Sequence, residues 1–275
     1  MGTTHLASAA GGLMLTRSFP QFGSRRSLRV FERNFMVYRS QWLMLVSGFF
    51  EPLFYLLSIG LGLNALVGPL HIDGQVISYA RFVAPGMLAT SAMNGAVIDS
   101  IFNTFFRLKI SHSYDAILST PLDVTDVALG EVWWALARAT LYAASFIICM
   151  AALGDAGSPW VILCWPAAIL TSFAFSCAGL AACTFLRSWQ DFDLVALVQL
   201  PLFLFSATFF PISLYPAWLG AIVSISPLYQ AAALLRGLNL GQFQWIMLFR
   251  VGYLLAIAVV GLTLAARRFQ RILVP

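Results

Sequence analysis

Long uninterrupted apolar runs dominate the chain, at about residues 43–67, 82–106, 127–152, 160–186, 194–214 and 245–266. A helix needs about 20 apolar residues to cross the ~30 Å hydrocarbon layer, so each run predicts one membrane span. Links 68–81 and 153–159 are rich in Gly, Pro, Asp and Ser, as turns are. A seventh apolar stretch, 216–236, is interrupted by Pro216 and Pro227 and preceded by Pro211. It predicts a broken, re-entrant or interfacial helical hairpin rather than a span.

Two segments break the apolar pattern. In 24–42, Leu28, Phe31, Phe35, Tyr38 and Trp42 recur at helical spacing, while Arg25, Arg26, Arg29, Arg33 and Arg39 take other faces. This predicts a basic amphipathic helix in the membrane interface, rings at the acyl boundary and guanidinium groups toward anionic lipid. A partner protein's groove is the alternative for that face. The second break is a polar island, Arg107 to Glu131, holding the chain's single lysine, Lys109, and four of its eleven acids. Ile110, Tyr114, Ile117 and Leu118 mark a short amphipathic helix that Thr120-Pro121 ends, and Asp123 stands where an N-cap would open the next helix. The island reads either as a docking surface or as a solvated loop.

Composition agrees with the pattern. With 60% hydrophobic residues, 10% charged and a mean hydropathy of +0.84, the chain is expected to be an all-α integral membrane protein with no room for a sizeable soluble domain. Residues 1–23 are small and polar, and read as a disordered tail; neither a signal peptide nor a myristoylation signal fits them. Charge orients the bundle. With the N-terminus inside, twelve basic residues lie on the inner face and three (Arg81, Arg236 and Arg250) on the outer. The island, and both termini, are therefore expected in the cytoplasm.

Several chemistries are excluded by spacing. A phosphate-binding P-loop needs Gly-Lys, but Lys109 follows Leu108. No HExxH, GxSxG or CxxC occurs, and Cys149, Cys164, Cys177 and Cys183 all lie in apolar runs as small packing residues. Asp123-Val-Thr-Asp126 begins like the CDP-alcohol phosphotransferase signature, but the rest of that signature is missing. A metal-dependent lipid enzyme built on Asp123, Asp126 and Glu131 remains as an alternative; these acids equally suit the first turn of a helix.

Ionisable residues inside spans are the remaining signal, since each costs at least about 2.5–3.5 kcal/mol unpaired. Asp99 and Arg138 fall at similar depth on adjacent antiparallel spans, which predicts a structural ion pair, with a substrate role as the alternative. Glu51, eight residues into the first span, is left between a contact with a second protomer and a lining of the substrate path. A proton-driven transporter using Glu51 and Asp99 is the third functional class.

The island carries a resemblance. Asp115-Ala-Ile-Leu-Ser-Thr-Pro-Leu122, then Gly130-Glu131 and Trp134, resembles the "EAILxTPL…GE…W" stretch of ABC-2-type ABC transporter permeases, with Asp115 in place of the usual Glu. Phe82-Val-Ala-Pro-Gly-Met87, Phe209-Phe-Pro211, Pro216-x-Trp218, Ser226-Pro-Leu228 and Arg236 follow in the family's order. The likeness is to the branch of NodJ-like lipo-oligosaccharide and daunorubicin-type drug exporters. It implies six spans, an interface helix, a coupling region at about 107–126, and outer helices between spans five and six. It implies a dimer of permeases, homo- or heteromeric, in a bacterial inner membrane, with two copies of a separate ATPase that carries the ATP and Mg; no cofactor or metal is expected in this chain. By that likeness Arg107, Lys109, Tyr114, Asp115, Ile117, Leu118, Thr120 and Pro121 would contact the ATPase. Glu51, Tyr55, Asn94 and Phe203 are candidates for the translocation path or protomer seam. Nothing here points to nucleic acid.

Overall fold

The structure, a computed structural model, describes residues 27–39, 54, 56–72, 75–111 and 124–273. It is almost wholly helical. Helix α1 is Ser27–Arg39. A π-turn, Ser58–Leu63, leads into the short α2, Asn64–Val67, and a two-stranded antiparallel hairpin follows: β1 (Leu70–Ile72) against β2 (Gln75–Ile77), with His71 opposite Val76. Helix α3 is Tyr79–Val97, carried on by π-turns at Ile98–Asn103 and Phe106–Ile110. Then come α4 (Val124–Ala152), α5 (Cys164–Cys183, entered by a 3-10 turn at Pro159–Leu163) and α6 (Phe192–Leu204). Helices α7 (Ala217–Ile225), α8 (Pro227–Leu240) and α9 (Ile246–Leu273) complete the fold.

Three described helical segments are long and apolar enough to cross a membrane: Asp126–Ala152, Pro159–Cys183 and Ile246–Ile272. The chain is an integral membrane protein. Helices α7 and α8 meet at an 86° bend, and pass the same test only if taken together. The bend is local chemistry: Pro227 cannot continue a helix from its N-terminal side, and the Ser226 hydroxyl accepts the Tyr229 N–H to restart one. Gly241, at φ +70°, closes α8 in the left-handed conformation.

Helix α5 is the hub, packed on α9, α4 and α3. Apart from Phe175 and Leu180, its buried face is made of small residues, among them Cys164, Ala167, Ala168, Thr171, Ser172, Ala174, Ser176, Cys177 and Gly179. Small side chains let neighbouring backbones approach, which is what drives helix association when lipid competes for apolar contact. A Cβ on Gly261 of α9 would lie 2.7 Å from the Ala178 nitrogen, so the two helices touch backbone to backbone.

Helix α6 departs from the apolar run that predicts it. The run continues to residue 214, but the helix stops at Leu204, about 20 Å long at 1.5 Å per residue. Pro201 removes one ladder hydrogen bond, Phe205 leaves the helical region, and Ala207 adopts φ +51°. Only Phe192 of α6 is buried, and Leu194, Leu197, Val198 and Leu200 are widely exposed.

Candidate functional site

The end of the bundle that carries α1 is organised on one carboxylate. Arg107, on the π-helical extension of α3, donates through Nη1 to both carboxylate oxygens of Glu131 at 2.5 Å. Asn34 of α1 donates to Glu131 Oε2 at 3.1 Å. Glu131 and Asn34 are buried. Beside this joint a Cβ on Gly130 would lie 2.5 Å from Val30 Cβ, and the Phe31 ring meets Trp134 edge-on at 5.6 Å. Lys109 and Ser111 are exposed where the described chain breaks off. Tyr114, Asp115, Ile117, Leu118, Thr120 and Pro121 lie outside the described residues, as does Asp123. With both of its oxygens engaged by a guanidinium, Glu131 is poorly disposed to ligate a metal.

The buried stripe of α1 is Ser27, Val30 and Asn34, which faces α4. The aromatic stripe is another matter: Leu28 and Phe35 are exposed, and Phe31 is half-buried against Trp134. Arg29 pairs with Glu32 on the surface, and Arg33 is half-buried. Tyr38 belongs to the last turn of α1; Trp42 lies outside the described residues.

Within the bundle, Arg138 donates to Asp99 through Nη1. Asn103 donates to the same carboxylate oxygen at 3.0 Å, and Arg138 Nη2 to the Tyr142 hydroxyl at 3.0 Å. Asp99, Arg138 and Tyr142 line a small, partly open cavity with Ser91, Gly95, Ala139 and Ser172. Asn94 is engaged elsewhere: its Oδ1 accepts from Gln199 of α6 at 2.7 Å. Phe203 meets Phe209 edge-on at 5.3 Å. Phe102, Phe105, Trp189 and Phe192 form an aromatic cluster that fixes the start of α6 to the extension of α3. Glu51 and Tyr55 lie outside the described residues.

The opposite end, where α3 begins, is held by Arg236. Its Nε donates to the Phe82 carbonyl at 3.1 Å and its Nη2 to the Ala207 carbonyl at 3.0 Å, while the guanidinium lies 3.8 Å over the Phe82 ring. One turn away, Pro85 leaves the Arg81 carbonyl without its helical partner, and Asn239 Nδ2 reaches it at 3.5 Å. Asn239 also donates to the Asp155 carbonyl and accepts from Gly157 N–H. Burial pushes the Asp155 carboxyl above its ordinary range, against the pull of Arg81. In the loop after α5, the N–H groups of Arg187 and Ser188 donate to Asp191 and hold its carboxyl below the usual range.

Sequence reasoning missed Asn34, Asn103, Tyr142 and Gln199. Each is one polar residue on an otherwise ordinary helix, and only the partner brought to it by packing gives it a role.

Residues 27–240, from α1 to the end of α8, match the family described as ABC-2 type transporter. The chain belongs to that family. It is 31% identical to Nodulation protein J of Rhizobium meliloti (strain 1021) over 252 residues, covering 90% of this chain and 94% of the relative. It is 33% identical to Nodulation protein J of Rhizobium leguminosarum bv. trifolii over 224 residues, or 80% and 83% of the two chains. Inner membrane transport permease YadH of Escherichia coli (strain K12) is 24% identical over 168 residues, 59% of this chain and 64% of that one. The chain is thus a membrane permease subunit of an ABC exporter, and works within an ABC system that includes an ATPase.

Proposed function

We propose that the chain forms six spans with both termini in the cytoplasm of a bacterial inner membrane, and pairs with a second permease subunit. Two copies of a separate ATPase dock on residues 107–126 and supply the ATP and Mg, since this chain carries no ATP site. Arg107 to Leu122 seats in a groove of the ATPase, and ATP-driven closure rocks the two permease halves. The cargo is an amphipathic molecule, a lipid-linked glycan, lipid or drug, moved outward along the protomer seam. Glu51, Tyr55, Asn94 and Phe203 are proposed to face that seam. Helices α7 and α8 form a re-entrant hairpin on the outer side.

The observation that carries this reading is the family match running unbroken across the polar island, from α1 to α8. The bare flank of α6 supports the seam, since four large apolar side chains there are left exposed among the described residues. The likeness to Nodulation protein J supports a glycolipid-like cargo. The test is affinity copurification of the tagged chain from native membranes, wild type against an Asp115→Arg, Leu118→Asp double variant. An ATPase held by the wild type and lost by the variant at equal expression supports the reading. An ATPase held equally by both removes the island as the docking site.

A further inference from the structure

We infer that Glu131 is the joint through which displacement of the cytoplasmic island reaches the interface helix α1. It is a positioning residue for coupling, in contact with neither nucleotide nor cargo. This rests on the reading of residues 107–122 as the ATPase docking segment.

Three stretches of chain converge on one side chain. Arg107 comes from the last helical turns before the island, and Glu131 from the first turns after it. Asn34, 97 positions away in sequence, comes from α1. Both ends of the island are therefore pinned to one buried carboxylate, and α1 is pinned to the same group. The contact is stiff. Gly130 lets α1 and α4 approach so closely that no Cβ fits between Val30 and the α4 backbone. Phe31 against Trp134 extends the contact by a further turn. Charge-assisted bonds in a site shielded from water resist stretching and reorientation. A push on the island thus carries Arg107 and Glu131 together, and Glu131 drags Asn34. Helix α1 follows the island through side chains rather than through the intervening first span.

The alternative is a static brace that stabilises α1 without moving it. The two are separated by spin-label distances in the permease purified with its ATPase in nanodiscs, nucleotide-free and after ATP–vanadate trapping. Labels go on cysteines placed at Met36 on α1, Ile110 before the island, and Trp245 at the outer end; all three positions are exposed. Cys149 is replaced by alanine, while the other three native thiols are buried. In the wild type, trapping should shift both the Met36–Trp245 and the Ile110–Trp245 distances. In Glu131→Gln the Ile110 shift should persist while the Met36 shift is lost. Asn34→Ala, which leaves Arg107–Glu131 intact, should give the same split and decides the matter if Glu131→Gln fails to assemble. Exchanging the charges, Arg107→Glu with Glu131→Arg, should restore the Met36 shift, because Asn34 Oδ1 is a buried acceptor that finds no partner among the described residues and suits an incoming guanidinium. Persistence of the Met36 shift in both Glu131→Gln and Asn34→Ala overturns the joint. Absence of any Ile110 shift in the wild type overturns the docking reading itself, and the joint with it.

Discussion

Arg236 donates to the carbonyl of Ala207, and Ala207 is the one described non-glycine residue with a positive φ, +51°. A left-handed alanine costs roughly 1–2 kcal/mol, and the same guanidinium that holds it also grips Phe82 at the start of α3. One side chain thus fixes the break after α6 against the entry of α3. Arg236→Lys cannot reach both carbonyls with a single ammonium, and should destabilise the purified protein by about 2–3 kcal/mol through two lost charge-assisted bonds. Ala207→Gly should stabilise by about 1 kcal/mol by relieving the backbone. Thermal unfolding in detergent measures both; an unaltered midpoint for Arg236→Lys would remove the latch.

Asp99→Leu should destabilise by about 3 kcal/mol, because it strands the Arg138 charge inside the bundle. Asp99→Leu with Arg138→Met should recover most of that loss, since no uncompensated charge remains. Folded fraction after detergent challenge reads the difference. A double variant no better than the single would mean that Arg138 finds another anionic partner.

Helix α9 touches α5 at Gly261 and is open at Gly252, where an added Cβ meets nothing within 4 Å. Gly261→Ala should therefore cost about 2 kcal/mol or more by forcing two backbones apart. Gly252→Ala should be neutral or stabilising by up to about 1 kcal/mol. Equal effects of the two on the unfolding midpoint would contradict the packing described for α5.

Two loop carboxylates should give the protein opposite responses to acid. Asp191 has its carboxyl lowered by the Arg187 and Ser188 N–H groups. Its stabilisation is full above the ordinary carboxylate range and disappears as pH falls through its depressed value. Asp155 is raised by burial, so its folded form gains relative stability as pH falls through that raised value. Hydrogen exchange at 187–192 should thus quicken toward low pH, beyond the intrinsic change, and Asp191→Asn should abolish that dependence. At 153–158 exchange should slow over the mildly acidic range, and Asp155→Asn should flatten the response.

The sequence alone determined that this chain lives in a membrane, because unbroken apolar runs have no other place to be buried. It also marked the break at Pro227, where proline chemistry is local, and the family signature spread over the island and the prolines from 211 to 227. What packing decided is which polar groups meet. Asp99 and Arg138 were legible because two lone charges at equal depth have few alternatives. The apolar stripe of α1 was legible too, yet the buried stripe is Ser27, Val30 and Asn34. Periodicity reports what a face is made of; whether lipid or protein covers it depends on where α4 comes to lie. The early end of α6 was equally hidden, since Ala207 and Phe205 look like any span residues until the Arg236 fork pulls the backbone out of the helix. Glu131 and Asn34 show the same limit most plainly. They are 97 positions apart, and only the close approach at Gly130 makes them neighbours.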